Sequence, residues 1–297
     1  MIIIDGKKIA EQILVRIKTE IKAKDLRLNF HCLLVGDDPA SRLYISRKEE
    51  TALKLGVSFT LHHLPANSSP EEVKSKIYEL NKLDDGYIIQ LPLPEELKEF
   101  TDELLNLIDP KKDADGLTKI NREKFLNGNP DAFLPTPIAA VAMLLASLVS
   151  DNEIIFYLPF VSSRLDLVLP TNLRGGKGVI VSDGDVFGQT LKSFLVKLGM
   201  SVEITRSDSK ELATRLLGAN LVISAIGRPD IVTGDMVSDG VTIIDVGTTL
   251  VDGKTKGDVN WESIVNKASS ATPVPGGVGP VTVAMLYANL LFLKLKN

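Results

Sequence analysis

The chain has 297 residues, 44% of them hydrophobic and 24% charged, enough for a large core and for two domains by size. Its formal charge of -4 and pI near 5.6 exclude the basic footprint of a nucleic-acid-binding protein. A single cysteine, Cys32 in FHCLLV, excludes an intrachain disulfide framework and reads as a core residue. The opening MIIIDGKKIAEQ is too polar for a signal peptide, and runs such as VAMLLASLV are too short for a membrane span, so a cytoplasmic protein with no membrane partner is expected.

Taken in chain order, Ile9, Ile13, Ile17 and Ile21 recur at helical spacing with charges opposite. FHCLLV reads as a buried strand closed by the turn GDDP at 36–39, and a helix follows from about Ser41 to Leu55. VSFTLHHL is the next strand. SSPEEVKSKIYEL opens with Ser69 as cap, Pro70 at the first helical position and Glu72 three residues after the cap, a capping box. GYIIQLPLP is a short strand from Gly86 that delivers Gln90 to its carboxyl end, and TDELLNLIDP a short helix. Such alternation predicts a mostly parallel, three-layer α/β arrangement. A second unit begins near residue 176: GKGVIVSDGDVFGQTLKSFLVKLG runs strand, turn, helix, followed by strands in MSVEIT, NLVISAIG and VTIIDVG and a helix in SKELATRLLG. TPVPGGVGPVTVAMLYANLLFLKLKN is a Pro/Gly loop feeding a long apolar helix, expected to return to the first unit. Between the units, residues 151–174 give no clear pattern; FYLPF reads as a strand interrupted by Pro159 or an edge element.

The turn SDGDVFG carries a nucleotide-binding character, because Gly184 and Gly188 let backbone approach a diphosphate at a helix N-terminus. The first glycine of a G-x-G-x-x-G is Ser182 here. At the end of the following strand, where an acidic residue would bind the ribose of NAD, the chain reads TRSD. Arg206 and Ser207 are candidate partners for a 2'-phosphate, which favours NADP, while Asp183 and Asp208 oppose one and leave NAD open. Tyr44 and Lys48 share a helical face. Spacing leaves two readings of Lys48, a solvated lysine beside Arg47, Glu49 and Glu50, or a proton-transfer group whose nitrogen Gln90 orients. Asp115, in KKDADGLTK, either holds a heterocycle by its ring nitrogens or caps a turn. His31, His62 and His63 make no zinc-binding spacing, and no metal is expected.

DDPASRLYISRK, IIQLPLP, KKDADGL and TPVPGGVGPVTVAML, in this order, resemble the bifunctional methylenetetrahydrofolate dehydrogenase/methenyltetrahydrofolate cyclohydrolase family. The likeness covers residues 1 to about 137 and 176–297. It implies two three-layer α/β domains, the second a Rossmann-like dinucleotide-binding domain, with an active-site cleft between them. The expected boundaries are 1–140 plus the returning helix 276–297 for folate, and 141–275 for NAD(P). It implies a catalytic Lys48 with Tyr44 and Gln90, a pterin-binding Asp115, a folate-site loop at Pro275, Gly276 and Gly277, a small-molecule folate substrate and a homodimer. The activity implied is oxidation of 5,10-methylenetetrahydrofolate with NADP and hydrolysis of the methenyl product to 10-formyltetrahydrofolate. The departures lie in the cofactor half. Ser182, Asp183 and Gly184 stand where the family usually has glycine, arginine and serine. Thr190 stands where a proline is usual, LPTP at 134–137 replaces proline-cysteine-threonine-proline, and some twenty extra residues fall at about 151–174. A cyclohydrolase or folate-binding protein with an altered dehydrogenase half is therefore a second expectation.

Overall fold

The computed structural model describes residues 1–129, 132, 134–149 and 169–296. The elements are β1 (Ile2–Ile3), α1 (Gly6–Ala23), β2 (Asn29–Val35), α2 (Pro39–Leu55), β3 (Ser58–Leu64), α3 (Pro70–Leu80), β4 (Gly86–Ile89), a 3-10 turn (Glu95–Phe100), α4 (Thr101–Asn106), α5 (Lys119–Leu126) and α6 (Thr136–Ala146). There follow β5 (Lys177–Ser182), α7 (Asp185–Lys197), β6 (Ser201–Thr205), α8 (Leu212–Leu216), β7 (Leu221–Ala225), β8 (Thr242–Asp245), the hairpin β9 (Thr249–Val251) and β10 (Lys254–Lys256), α9 (Trp261–Ile264), β11 (Ser270–Ala271) and α10 (Val278–Lys296). The described residues divide into two compact units. One takes those of Met1–Glu11, Pro137–Phe156 and Leu165–Thr282, the other those of Gln12–Thr136 and Val283–Asn297.

The second of these is built on the parallel sheet β3-β2-β4. Strand β2 is covered on both faces. Leu33 and Val35 join Val73, Ile77 and Leu80 of α3 and Leu104 of α4 in one apolar cluster. On the opposite face Phe30 meets Tyr287 of α10 edge-on, with ring centroids 5.6 Å apart. Each such fully buried side chain stabilises the fold by roughly 1.5–3 kcal/mol. Helix α3 starts as its sequence dictates: the Ser69 hydroxyl accepts from Glu72 N at 3.3 Å, and Ser69 N donates to Glu72 Oε2 at 2.7 Å. By length and composition α10 could cross a membrane, but 72% of its apolar window is buried inside the protein.

The other unit carries six parallel strands in the order β1-β11-β8-β7-β5-β6. Apart from β1 at the edge, chain order runs outward in both directions from β5, the Rossmann-like pattern that puts a ligand crevice at the carboxyl ends beside β5 and β7. Val179, Val222 and Ile243 face Leu212, Leu216 and Ile264 in its core. Two features escape the sequence pattern. The first residues, Ile2 and Ile3, add a sixth strand beside β11, and α1 starts with Gly6 against the loop before α10. A Cβ on Gly6 would lie 1.9 Å from the Gly277 carbonyl oxygen, so this approach admits only glycine. The expected strand in FYLPF and most of the extra segment, residues 151–168, lie outside the described residues. Of that segment's end, Leu169 and Leu173 are buried and Arg174 Nε donates to the Leu169 carbonyl at 2.9 Å.

Candidate active site

The three-stranded unit gathers its polar groups at the carboxyl ends of β2 and β4. Helix α2 is the crossover from β2 to β3, and its buried stripe runs Ser41, Ile45, Lys48, Ala52 and Leu55. Lys48 therefore lies on the sheet-facing side, only 7% exposed, while Glu49 and Glu50 face solvent. Its Nζ donates to Gln90 Oε1 at 2.8 Å. Gln90, also 7% exposed, follows the last residue of β4, and its Nε2 donates to the Leu91 carbonyl at 2.6 Å. The amide is thereby held with its oxygen toward the lysine. Tyr44, one turn before Lys48, is half-buried, with the Arg47 guanidinium 5.9 Å from its ring centre. Cys32 is a buried free thiol, pushed up to about 11 chiefly by burial, with nearby Lys48 lowering and Asp115 raising it.

Asp115 is half-buried. Its Oδ1 accepts from Thr136 Oγ1 at 2.6 Å, and its carbonyl accepts from Thr136 N at 2.9 Å. The turn-holding role that the sequence offered as its alternative belongs to Asp113, two residues earlier. Asp113 is 1% exposed and accepts from Gly116 N, Leu117 N, Thr118 N and Asn121 Nδ2. Burial raises its carboxyl above the usual range, with the bonds from Thr118 and Asn121 opposing. Three more residues were not singled out by the sequence. Thr136 meets Asp115, Tyr287 Oη donates to the Lys48 carbonyl at 2.5 Å, and Asn289 Nδ2 donates to the carbonyls of Ala114 and Leu134. A lone Asn inside the apolar helix α10 was the one available signal. The histidines serve other ends: His31 Nδ1 and His62 Nε2 lie 3.1 Å apart across β2 and β3, and His63 faces the Gly36 carbonyl.

In the six-stranded unit, Ser182 ends β5, and its hydroxyl exchanges hydrogen bonds with Gly184 O and N. Gly184 is the N-cap of α7 and supplies no side-chain cap, and among the described residues a Cβ there would meet nothing within 4 Å. Backbone amides at an open helix start fit a dinucleotide's diphosphate. Gly188 is different from the sequence expectation. It is buried inside α7, where a Cβ would touch Ser182 and Ile204 at 3.5 Å, so it packs the helix on the sheet. Asp183 reaches across to β6: its carboxylate accepts from Ser207 N at 2.9 Å, Ser207 Oγ at 2.6 Å and Arg228 Nη2 at 3.3 Å. Arg206 is exposed, its Nε 3.4 Å from Asp208. Thus the basic group drawn to the β5 turn is Arg228, after β7, rather than Arg206. Arg228 is placed by Asp258, a fully buried carboxylate that accepts from Ser224 Oγ and from the amides of Ile226, Gly227 and Arg228. Beside it, burial and then the Asp258 charge push Asp245 up to about 7, against bonds from the amides of Val259, Asp258 and Gly247. Pro275, Gly276 and Gly277 belong to this unit. Gly276 adopts φ +117°, open to few residues but glycine, and its carbonyl accepts from Lys7 N at 3.1 Å.

Residues 4–115 match the tetrahydrofolate dehydrogenase/cyclohydrolase catalytic domain, and residues 166–297 match the NAD(P)-binding domain of the same family. A bifunctional protein FolD from Nautilia profundicola is 35% identical over 296 residues, spanning 97% of this chain and 95% of that protein. The crystal structure of the bifunctional FolD methylenetetrahydrofolate dehydrogenase/cyclohydrolase from Campylobacter jejuni superposes with a TM-score of 0.84 at 31% identity, covering 100% of both chains. FolD from Trypanosoma brucei, solved with NADP and an inhibitor, gives 0.84 at 28% identity over 100% of this chain and 98% of that one.

Proposed function

This chain belongs to the tetrahydrofolate dehydrogenase/cyclohydrolase family, and from that premise we propose how its residues divide two reactions: NAD(P)-dependent oxidation of 5,10-methylenetetrahydrofolate, and hydrolysis of 5,10-methenyltetrahydrofolate to 10-formyltetrahydrofolate. The observation that carries the reading is the buried Lys48–Gln90 pair at the carboxyl end of the three-stranded sheet.

A bound dinucleotide would supply the hydride acceptor. On the chain's side, Gly184 and the start of α7 would receive the diphosphate, and Asp183, Ser207 and Arg228, which bond one another, would meet the adenosine ribose. No side chain has to remove a proton in the oxidation, so the protein's contribution there is positioning. Asp115 accepts from pterin N–H donors with its outer oxygen while Thr136 fixes the inner one. Tyr44 packs along the folate, and the Pro275–Gly277 backbone gives close approach. In the hydrolysis, water adds to the amidinium carbon and loses one proton to Lys48 Nζ. Collapse then breaks the bond from that carbon to N5, the hydroxyl proton departs as the formyl C=O forms, and N5 gains a proton. One proton is released net. Gln90 keeps the nitrogen lone pair of Lys48 aimed by accepting one of its N–H groups.

A spectrophotometric assay tests both halves: oxidation of 5,10-methylenetetrahydrofolate with NAD or NADP, and decay of added methenyltetrahydrofolate. Oxidation together with accelerated decay is expected, and absence of accelerated decay overturns the role of Lys48. A homodimer and a cytoplasmic setting complete the reading. Family membership supports both, and sedimentation equilibrium and cell fractionation test them.

A further inference from the structure

The groups that would receive a 2'-phosphate already face a carboxylate. In a Rossmann-like unit the adenosine ribose lies over the end of the second strand, where an acidic side chain selects the free 2'-hydroxyl and a basic one the 2'-phosphate. Here that strand is β6, and its end presents Ser207 N–H, Ser207 O–H and, from the neighbouring loop, the Arg228 guanidinium. All three donate to one carboxylate, that of Asp183. A second cation whose charge acts on Asp183, Arg206, is drawn to Asp208. We propose that Asp183 is the specificity-determining residue of the dinucleotide site, selecting the unphosphorylated ribose of NAD over NADP. This rests on the dinucleotide site of the proposed function and fixes which form of the cofactor it takes.

Three features support the assignment. First, Asp183 does from the β5 turn what an acidic residue at the end of β6 does elsewhere. Its carboxylate offers about four acceptor positions and three are filled by protein donors, leaving one for a ribose hydroxyl. Second, the side chain is 36% exposed, so a ligand can reach it. Third, burial raises the carboxyl, but the Ser207 side chain and amide, with the Arg206 and Arg228 charges, outweigh it and hold Asp183 below the usual range. It is therefore ionised at neutral pH. A phosphate seated on Ser207 and Arg228 would have to displace this anion or lie against it, and the cost of like charges disfavours both.

Isothermal titration of the whole protein with ADP-ribose and with 2'-phospho-ADP-ribose reads the choice without turnover. At least tenfold tighter binding of ADP-ribose is expected, with Asp183→Ser narrowing that ratio tenfold or more and Asp183→Asn, which keeps the side chain's shape, acting in the same direction. Dehydrogenase assays should place kcat/KM for NAD above that for NADP and move with the same variants. Equal or tighter binding of the phosphorylated ligand by the unaltered protein overturns the inference and leaves the dinucleotide site standing. An unchanged ratio in both variants overturns the assignment to Asp183. Binding of neither ligand overturns the dinucleotide site itself, and with it this inference.

Discussion

Asp113 and Asp258 do the same job in the two units. Each is a buried carboxylate that accepts four hydrogen bonds, most from backbone amides, and so fixes a loop at the carboxyl end of its sheet. What the two loops present differs. Beyond Asp113 comes Asp115, tied to Thr136, in the unit where Lys48 is tied to Gln90. Beyond Asp258 comes Arg228, about half exposed, whose partner Asp183 belongs to a different turn and is 36% exposed. One end is fixed by bonds inside the protein. The other is a set of surface charges that a single substitution can re-pair. On the proposed reading, chemistry and cofactor choice are thereby held by different kinds of contact, and this chain's departures from the family at Ser182 and Asp183 fall in the six-stranded unit, whereas Lys48 belongs to the three-stranded one.

Breaking the first half should have the largest consequence. Lys48→Met is expected to reduce methenyltetrahydrofolate hydrolysis by about 10²–10⁴-fold while folate binding, read by fluorescence titration, changes far less. Equal loss of both would assign Lys48 to structure alone. Next come the two anchors. Asp113→Ala and Asp258→Ala each strand buried amides, at a cost of roughly 3 kcal/mol, seen as a lower urea midpoint. Where each variant stays folded, Asp113→Ala should weaken folate capture and Asp258→Ala dinucleotide binding. A swapped or shared pattern would undo the comparison.

The pH dependence sharpens it further. Burial, then Asp258, raise Asp245 from its ordinary 3.8 to about 7. Between those values the folded chain holds a proton that the unfolded chain has released. The contribution of this group is full at low pH and is lost as pH rises through about 7, at up to roughly 1.4 kcal/mol per pH unit. Urea midpoints measured from pH 4 to 8 should show that slope shrink in Asp245→Asn; a curve parallel to the unaltered protein's would remove Asp245 as its source. The smallest effect is a control: Ser69→Ala should cost about 1 kcal/mol at the start of α3 and leave both activities as they are.

The sequence alone determined the elements whose causes are local. The capping box at Ser69, the buried run FHCLLV and the Gln90 position past a strand end all follow from neighbours in the chain, and the four dispersed motifs identified the family. Spacing alone left Lys48 undecided, because an i, i+4 pattern cannot say which face of α2 meets the sheet; only the family resemblance implied a catalytic role. Asp113 and Asp115 were two aspartates in one turn, and the fold divided them by burying one and offering the other. Arg228, Asp258 and Tyr287 lay beyond the sequence's reach, since each acts on a partner from a different element, and Asn289 showed only as a lone Asn in an apolar helix. The hydrogen bonds of Asp183 were likewise decided by tertiary structure: its charge was legible, but the donors it accepts from come from the ends of β6 and β7, brought beside β5 only by the order of the parallel sheet.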